Sequence, residues 1–224
     1  MKHLIIITLT LVNFSLYAQQ FECGDTFTDS RDGKTYKTEQ IGDQCWMAEN
    51  LNVGKIVKDH AQTDNGIIEK TCWGNDPSKC GTFGGLYTWY EAMQYKNEEA
   101  SQGICPDGWH IPSRSEWEEL SNFLGDDSAG YYMKVPPDHE PSWDGNNASG
   151  FTALPGGGGY EGYFHRKGSW ALFWSSTSNG EDRAWFSQLD NYWYPAPPKY
   201  HNLYIGDYYQ KFNGLSVRCI KNKN

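Results

Sequence analysis

The chain has 224 residues, a formal net charge of −9 and a mean hydropathy of −0.73. That acidity disfavours nucleic acid and anionic lipid surfaces as partners, because like charges repel. Aromatic residues make up 16% of the chain beside 24 glycines and 10 prolines, which fits a loop-rich fold pinned by large rings and argues against a helical bundle.

Lys2 and His3 precede an apolar run from Leu4 to Leu16, and Ala18 offers a small residue for cleavage. This pattern predicts a secretory signal peptide over residues 1–18, a secreted or cell-surface location, and no membrane insertion, since the run is too short to span a bilayer. Cleavage would leave 206 residues and, with Lys2 gone, a charge of −10. Gln20, Phe21 and Glu22 are not the small residues a lipobox needs, so Cys23 is not read as a lipid anchor. Six cysteines remain, Cys23, Cys45, Cys72, Cys80, Cys105 and Cys219, an even count that implies three disulfides in an oxidising compartment. Fifteen pairings are open to them. Zinc is disfavoured, because there is no C-x2-C pair and the histidines are scattered.

After an N-terminal segment at residues 19–26, Phe27 to Ile41 reads as a hairpin turning at Asp32-Gly33. Asp29 and Asp32 could touch calcium but lack a calcium-loop ladder, so a plain turn is preferred. Gln44 to Ala48 is a short apolar strand, and residues 53–70 read as loop. A Cys72–Cys80 bond would close a short loop over an Asn75-Asp76-Pro77 turn. Leu86, Trp89, Tyr90 and Met93 fall at i, i+3, i+4 and i+7, predicting a helix over residues 86–94. The stretch Gly103 to Gly125 holds a short strand at Gly108–Ile111, then a helix over residues 114–124. Ser113 and Glu116 form its capping box, Trp117, Leu120 and Leu124 its buried stripe, and Gly125 its stop.

Asp126 to Gly150 reads as a long polar loop, in which Asn147-Ala148-Ser149 is a glycosylation sequon. Asp138, Glu140 and Asp144 supply oxygens for a structural calcium that no regular spacing supports, and no cofactor is called for. Phe151 to Leu154 is a strand, and the glycine run at residues 156–159 lacks the residues of a phosphate loop, so it reads as a bend or a close packing point. Residues 170–175 and 184–189 are aromatic strands around an Asn179-Gly180 turn. A closing strand from Leu215 to Ile220 points Leu215, Val217 and Cys219 inward. Between them, Asp190 to Phe212 has six tyrosines, one tryptophan and three prolines without a period, and reads as a loop that is at least partly exposed.

Several segments together resemble the Fibrobacter succinogenes major paralogous domain family: D-G-K-T-Y-K-T-E-Q-I-G-D-Q-C-W-M-A-E-N-L-N (32–52), F-G-G-L-Y-T-W (83–89), the central stretch at 103–120, S-G-F-T-A-L-P-G-G (149–157), F-W-S-S-T (173–177) and N-G-L-S-V-R-C-I-K (213–221). Gly85 stands where that family has arginine, and Leu215 where it has phenylalanine. The resemblance implies one α+β domain over residues 27–222, similar to C-type lectin-like and sulfatase-modifying-factor folds, with two short helices flanking a small irregular antiparallel sheet with long loops. It implies no established activity.

By analogy with that fold, the leading functional reading is a non-catalytic module for a glycan or an extracellular protein. The aromatic loop is its candidate site. Tyr192, Trp193, Tyr194, Tyr200, Tyr204, Tyr208 and Tyr209 supply rings, and Asp190, Asn191, Asn202 and Asp207 supply hydrogen bonds at the rim. Calcium-dependent sugar binding gains nothing, because neither Glu-Pro-Asn nor Trp-Asn-Asp occurs. The alternatives are an oxidase with a reactive cysteine, similar to formylglycine-generating enzymes, a glycan-active enzyme, and a purely structural or adhesive protein; no catalytic residue is identified. The expected disulfides are Cys72–Cys80, which is local, Cys105–Cys219, which ties the central strand to the closing one, and Cys23–Cys45.

Overall fold

The computed structural model describes residues 21–191 and 201–223. The expected signal peptide lies outside them. In chain order the strands are β1 (Thr26–Thr28), β2 (Thr35–Ile41), β3 (Gln44–Met47), β4 (Lys55–Ile56), β5 (Glu69–Lys70), β6 (Trp109–His110), β7 (Gly158–Tyr160), β8 (Tyr163–His165), β9 (Trp170–Asn179), β10 (Arg183–Asp190), β11 (Tyr204–Gly206) and β12 (Ile220–Lys221). The helices are α1 (Pro77–Phe83), α2 (Trp89–Ala92), α3 (Arg114–Phe123) and α4 (Ala129–Met133). They form a mixed fold of short helices and several mainly antiparallel sheets: five strands in the order β1-β2-β3-β12-β6, three in the order β11-β10-β9, and the pairs β4-β5 and β7-β8.

The β1–β2 hairpin turns where Asp32-Gly33 predicts, with Gly33 at φ +73°. The two aspartates beside it are held in ion pairs with neighbouring basic residues. Asp29 is buried and pairs with Arg31 at 2.7 Å, while Asp32 pairs with Lys34 at 3.0 Å. The central helix α3 is capped by Ser113 and Glu116 reciprocally, as predicted, and Gly125 follows it in the left-handed region at φ +85°. Glu116 also reaches back to His110 Nε2 at 2.9 Å, and His110 Nδ1 meets Asn222 Oδ1 at 2.7 Å. Burial opposes charge on both partners, but the shared hydrogen bond outweighs it. His110 is thereby raised and Glu116 lowered from their ordinary values.

Several segments differ from the sequence reading: residues 53–70, read as loop, hold β4 and β5, and the closing strand expected over Leu215–Ile220 is a strand only at β12. The Cys72–Cys80 loop contains α1, with Asp76 as N-cap accepting from the Ser78 amide and Pro77 in its first turn. The helix predicted over residues 86–94 shrinks to α2, because Leu86 and Tyr87 are drawn into backbone bridges with Thr71 and Leu215 and Thr88 caps what is left. The polar stretch 126–150 contains α4, whose Ala129 and Met133 are buried. Phe151 to Leu154 makes only a single bridge, Ala153 to Lys134, in place of a strand.

The β9–β10 ribbon lies between two apolar clusters. Leu172, Trp174, Ala184 and Phe186 face one with Tyr87, Trp89 and Trp109, while Ala171, Phe173 and Leu189 face the other with Trp46, Trp117 and Phe151. Period-2 alternation therefore buries both faces of the ribbon, and its residues read as a nearly continuous apolar run. Reciprocal indole bonds lock it to the α2 region: Trp89 Nε1 donates to Ser175 O at 2.9 Å and Trp174 Nε1 to Tyr87 O at 2.8 Å.

All three expected disulfides are present, Cys23–Cys45, Cys72–Cys80 and Cys105–Cys219. Their sequence separations are 22, 8 and 114. In the chain-entropy description the longest loop contributes about 4–5 kcal/mol and the shortest about 2–3 kcal/mol. Replacing Cys105 and Cys219 together by serine is expected to lower stability in urea by roughly twice as much as replacing Cys72 and Cys80. Equal losses would show that local strain, not loop length, sets the effect.

Candidate functional site

Of the predicted aromatic-loop residues, Tyr192, Trp193, Tyr194 and Tyr200 lie outside the described residues. The others fall on an ordered framework. Tyr204 belongs to β11, one of the two edge strands of the three-stranded sheet, paired opposite Gln188 of β10. The loop reading of Asp190–Phe212 is thus corrected at residues 204–206: the three prolines precede this strand and do not interrupt it.

Tyr204, Tyr208 and Tyr209 gather over Phe186, which is fully buried. Their ring centroids lie 6.1, 4.7 and 4.6 Å from that of Phe186. Tyr208 stacks on Tyr209 at 5.1 Å and leans on Tyr204 at 6.2 Å. Tyr204 is 43% exposed and Tyr208 46%, while Tyr209 is partly buried. Each ring therefore has one side anchored in the core, and two of them turn the other side to solvent. The Tyr208 hydroxyl meets Gln188 Oε1 at 3.1 Å, which fixes its ring plane. Burial, then the neighbouring tyrosine, raises the titration of both Tyr208 and Tyr209, so both are neutral phenols. Gly206 makes the arrangement possible. A methyl group there would sit 2.4 Å from Tyr204 Cε1, so only glycine lets that ring lie flat along β11.

The predicted rim residues divide. Asn202 is exposed, and Asp207 receives a hydrogen bond from Asn179 at 3.0 Å. Asp190 is exposed, but its carbonyl accepts from Lys134 at 2.8 Å. The Asn191 side chain already serves the scaffold, accepting from Trp143 Nε1 and donating to Gly168 O. Lys134 is the organiser beneath: 1% exposed, it pairs with Asp144 at 2.8 Å, meets His201 Nδ1 at 2.9 Å and lies over the Trp143 ring at 5.2 Å. Its burial lowers its titration against the pull of Asp144. Asp144 is thereby an ion-pair partner of the buried Lys134. Among the described residues no group of three His, Cys, Asp or Glu side chains can hold a metal ion. The sequon amide at Asn147 is likewise committed, bonding Thr152 through both its oxygen and its nitrogen.

A cleft of about 720 Å³ lies elsewhere, lined among others by Lys34, Lys37, Glu49, Asn50, His139 and Arg218. Sequence reasoning did not point to it. The fully buried Arg218 at its wall has no N–H left for a ligand, because all five are used: two on Asn50 Oδ1 and one each on the carbonyls of Met47, Phe151 and Thr152.

Those same residues, from Trp46 to Asn52 and from Asn213 to Lys221, belong to the segments that carry the family resemblance, and residues 40–221 match the Fibrobacter succinogenes major domain. The chain belongs to that family. No curated protein and no solved structure matches it. In this Fibrobacter succinogenes major domain the segments resembling the family supply the scaffold, whereas Tyr204, Tyr208 and Tyr209 lie between two of them. Phe186 and Gln188, which seat and orient the tyrosines, were not singled out from sequence; their place two apart on an aromatic strand is the signal that could have found them.

The Gly206 contact gives a direct check. Since the obstructing atoms are the far end of an exposed ring, Gly206→Ala should turn Tyr204 aside at a cost under about 1 kcal/mol. A crystal structure or tyrosine side-chain NMR of the variant should show Tyr204 rotated with Phe186 unmoved; an unmoved Tyr204 would refute the packing described.

Proposed function

We propose that this protein is an exported, non-catalytic binding module with a C-type lectin-like fold, and that it holds a glycan against Tyr204, Tyr208 and Tyr209. The observation that carries this reading is the seating of three tyrosines on one buried ring, with Tyr208 in ring contact with both of the others and with Tyr204 and Tyr208 open to solvent. Such rings lose little conformational freedom on binding, and each offers an apolar face with a polar edge. Asp207 and Asn202 supply hydrogen-bonding groups next to them in sequence. Three disulfides fit an oxidising compartment, and among the described residues no helix is long and apolar enough to cross a membrane. A surface protein held on the same rings is the alternative ligand. The oxidase alternative is weakened because Cys105 and Cys219, the thiols it would need, are joined to each other.

The test is a glycan array followed by titration calorimetry. Tyr208→Ala and Tyr204→Ala should each weaken binding of any captured glycan by about tenfold or more, equivalent to about 1.4 kcal/mol. Because Tyr208 also covers Phe186, its variant should lose stability by about 1–2 kcal/mol, whereas Tyr204→Ala should lose less. A captured glycan whose affinity is indifferent to both changes would sink the assignment of the site.

A further inference from the structure

The tyrosine cluster does not end at β11. Tyr160 and Tyr163 face each other at the tip of the β7–β8 hairpin, with ring centroids 5.5 Å apart and planes inclined by 29°. The tip is a two-residue turn, Glu161-Gly162, with φ +43° and +83°, the left-handed pair that matches strand twist in tight hairpins. Tyr163 is 68% exposed and Tyr160 39%. His165 stands two residues after Tyr163 on the same strand and hence on the same face. Its ring lies parallel to that of Tyr209, 6.4 Å away with planes inclined by 14°. The rings therefore follow one another from Tyr160 and Tyr163 through His165 to Tyr209, Tyr208 and Tyr204, crossing from one sheet to the next.

The hairpin is fixed where it carries this row. Gly157 bridges Ala171 of β9, and Gly159 bridges Gly214. The reverse face of the hairpin is packed, with Phe164 against His60 at 5.2 Å and Trp73 at 5.7 Å. Only the face bearing Tyr160 and Tyr163 stays open. Burial, with Arg166 beside it, lowers the titration of His165, so the middle of the row is uncharged at neutral pH. The charged groups beside the row in sequence are Glu161, Arg166 and Asp207, two acids to one base, on a chain of net charge −9. Charges of both signs so interspersed give a polyanionic chain no concentrated positive patch to bind. The carboxylates can accept hydrogen bonds from hydroxyl groups.

We propose that these rings form one extended binding row, and that its occupant is a neutral glycan chain several sugars long, lying across both the β11 cluster and the hairpin tip. This rests on the site proposed above and adds a second subsite, Tyr160 and Tyr163, together with the class of ligand: a polymer and not a terminal sugar. Each further sugar that reaches an additional ring adds apolar contact without a second loss of translational freedom, so affinity rises with chain length until the row is filled.

The experiment is calorimetric titration of the protein with neutral gluco-, xylo- and manno-oligosaccharides from disaccharide to hexasaccharide, repeated with Tyr160→Ala/Tyr163→Ala and with Tyr208→Ala. Thermal melts of each variant confirm that it is folded. In at least one series the hexasaccharide should bind about tenfold or more tightly than the disaccharide. The hairpin variant should lose that gain while keeping the disaccharide affinity, and Tyr208→Ala should weaken every length. Affinity that does not change with length, or a length dependence untouched by the hairpin variant, overturns the extended row and leaves the tyrosine site standing. A parallel titration with uronic-acid oligosaccharides completes the set, and binding of these alone overturns the neutral-chain assignment. Failure of all glycans, with capture of the protein by a second copy or by another protein, overturns both readings.

Discussion

A guanidinium with no solvent contact holds the fold together. Arg218 is 0% exposed, and burial pulls its titration down to about 9 against the opposing charge of Glu49. Removing such an ion from water costs several kcal/mol even after local relaxation. The compensation is complete use of its donors on four acceptors, two of the bonds running to Asn50 Oδ1 at 3.0 and 2.8 Å, while the rings of Phe151 and Phe173 lie 4.2 and 5.5 Å from its centre. Asn50 passes the connection on, donating to Phe83 O at the end of α1 and to Ser216. Arg218 and Asn50 together thereby join β3, the end of α1, residues 151–152 and the closing segment, four pieces far apart in sequence.

The remainder of the architecture depends on that junction. The closing segment is held beside β3, where the Met47 amide bonds Cys219 O at 3.0 Å and the Leu51 amide bonds Val217 O at 2.9 Å. With the segment in place, Ser216 bridges Phe173 of β9, and the Cys105–Cys219 bond ties β6 to the same line. The β9–β10 ribbon is then enclosed on both faces, and Phe186 becomes the fixed seat on which Tyr204, Tyr208 and Tyr209 rest. A second buried cation, Lys134, fastens the chain at Asp190 and His201 to either side of residues 192–200. The proposed binding surface is thus set by two buried cations that pin the backbone and by the apolar rings packed on that frame.

Much of this was legible in the sequence where the signal is local. The Ser113–Glu116 cap, the Asp32-Gly33 turn and the aromatic alternation of β9 and β10 each follow from neighbours within a few residues. The role of Arg218 was not legible. Alternation across Leu215, Val217 and Cys219 assigns the intervening residues to solvent, but Ser216 and Arg218 are buried as well, because the segment runs between two cores. A charged residue at an outward-reading position gives no sign that four distant acceptors await it. The α1 helix was overlooked for the opposite reason. Asp76 and Pro77 are a good helix start, but the two flanking cysteines suggested a bare loop. The β7–β8 hairpin was hidden in the glycine run: Tyr160-Glu161-Gly162-Tyr163 carries a tight-turn signature that the preceding four glycines obscured. For the candidate site, the tyrosines were visible as composition, but their common seat on Phe186 arises from strand pairing, which spacing alone does not reveal.

The central claim is that the buried guanidinium together with Asn50, and not apolar packing alone, joins the four segments. Urea unfolding of Arg218→Met measures it most directly, because methionine fills similar space but offers no donors to the carbonyls of Met47, Phe151 and Thr152 or to Asn50. Replacing a buried ion by a hydrophobic residue is often neutral when its partners leave with it. Here the acceptors stay behind and unsatisfied, so the account predicts a loss of about 3–5 kcal/mol. A variant within about 0.5 kcal/mol of the parent would contradict it and would assign the junction to the surrounding rings.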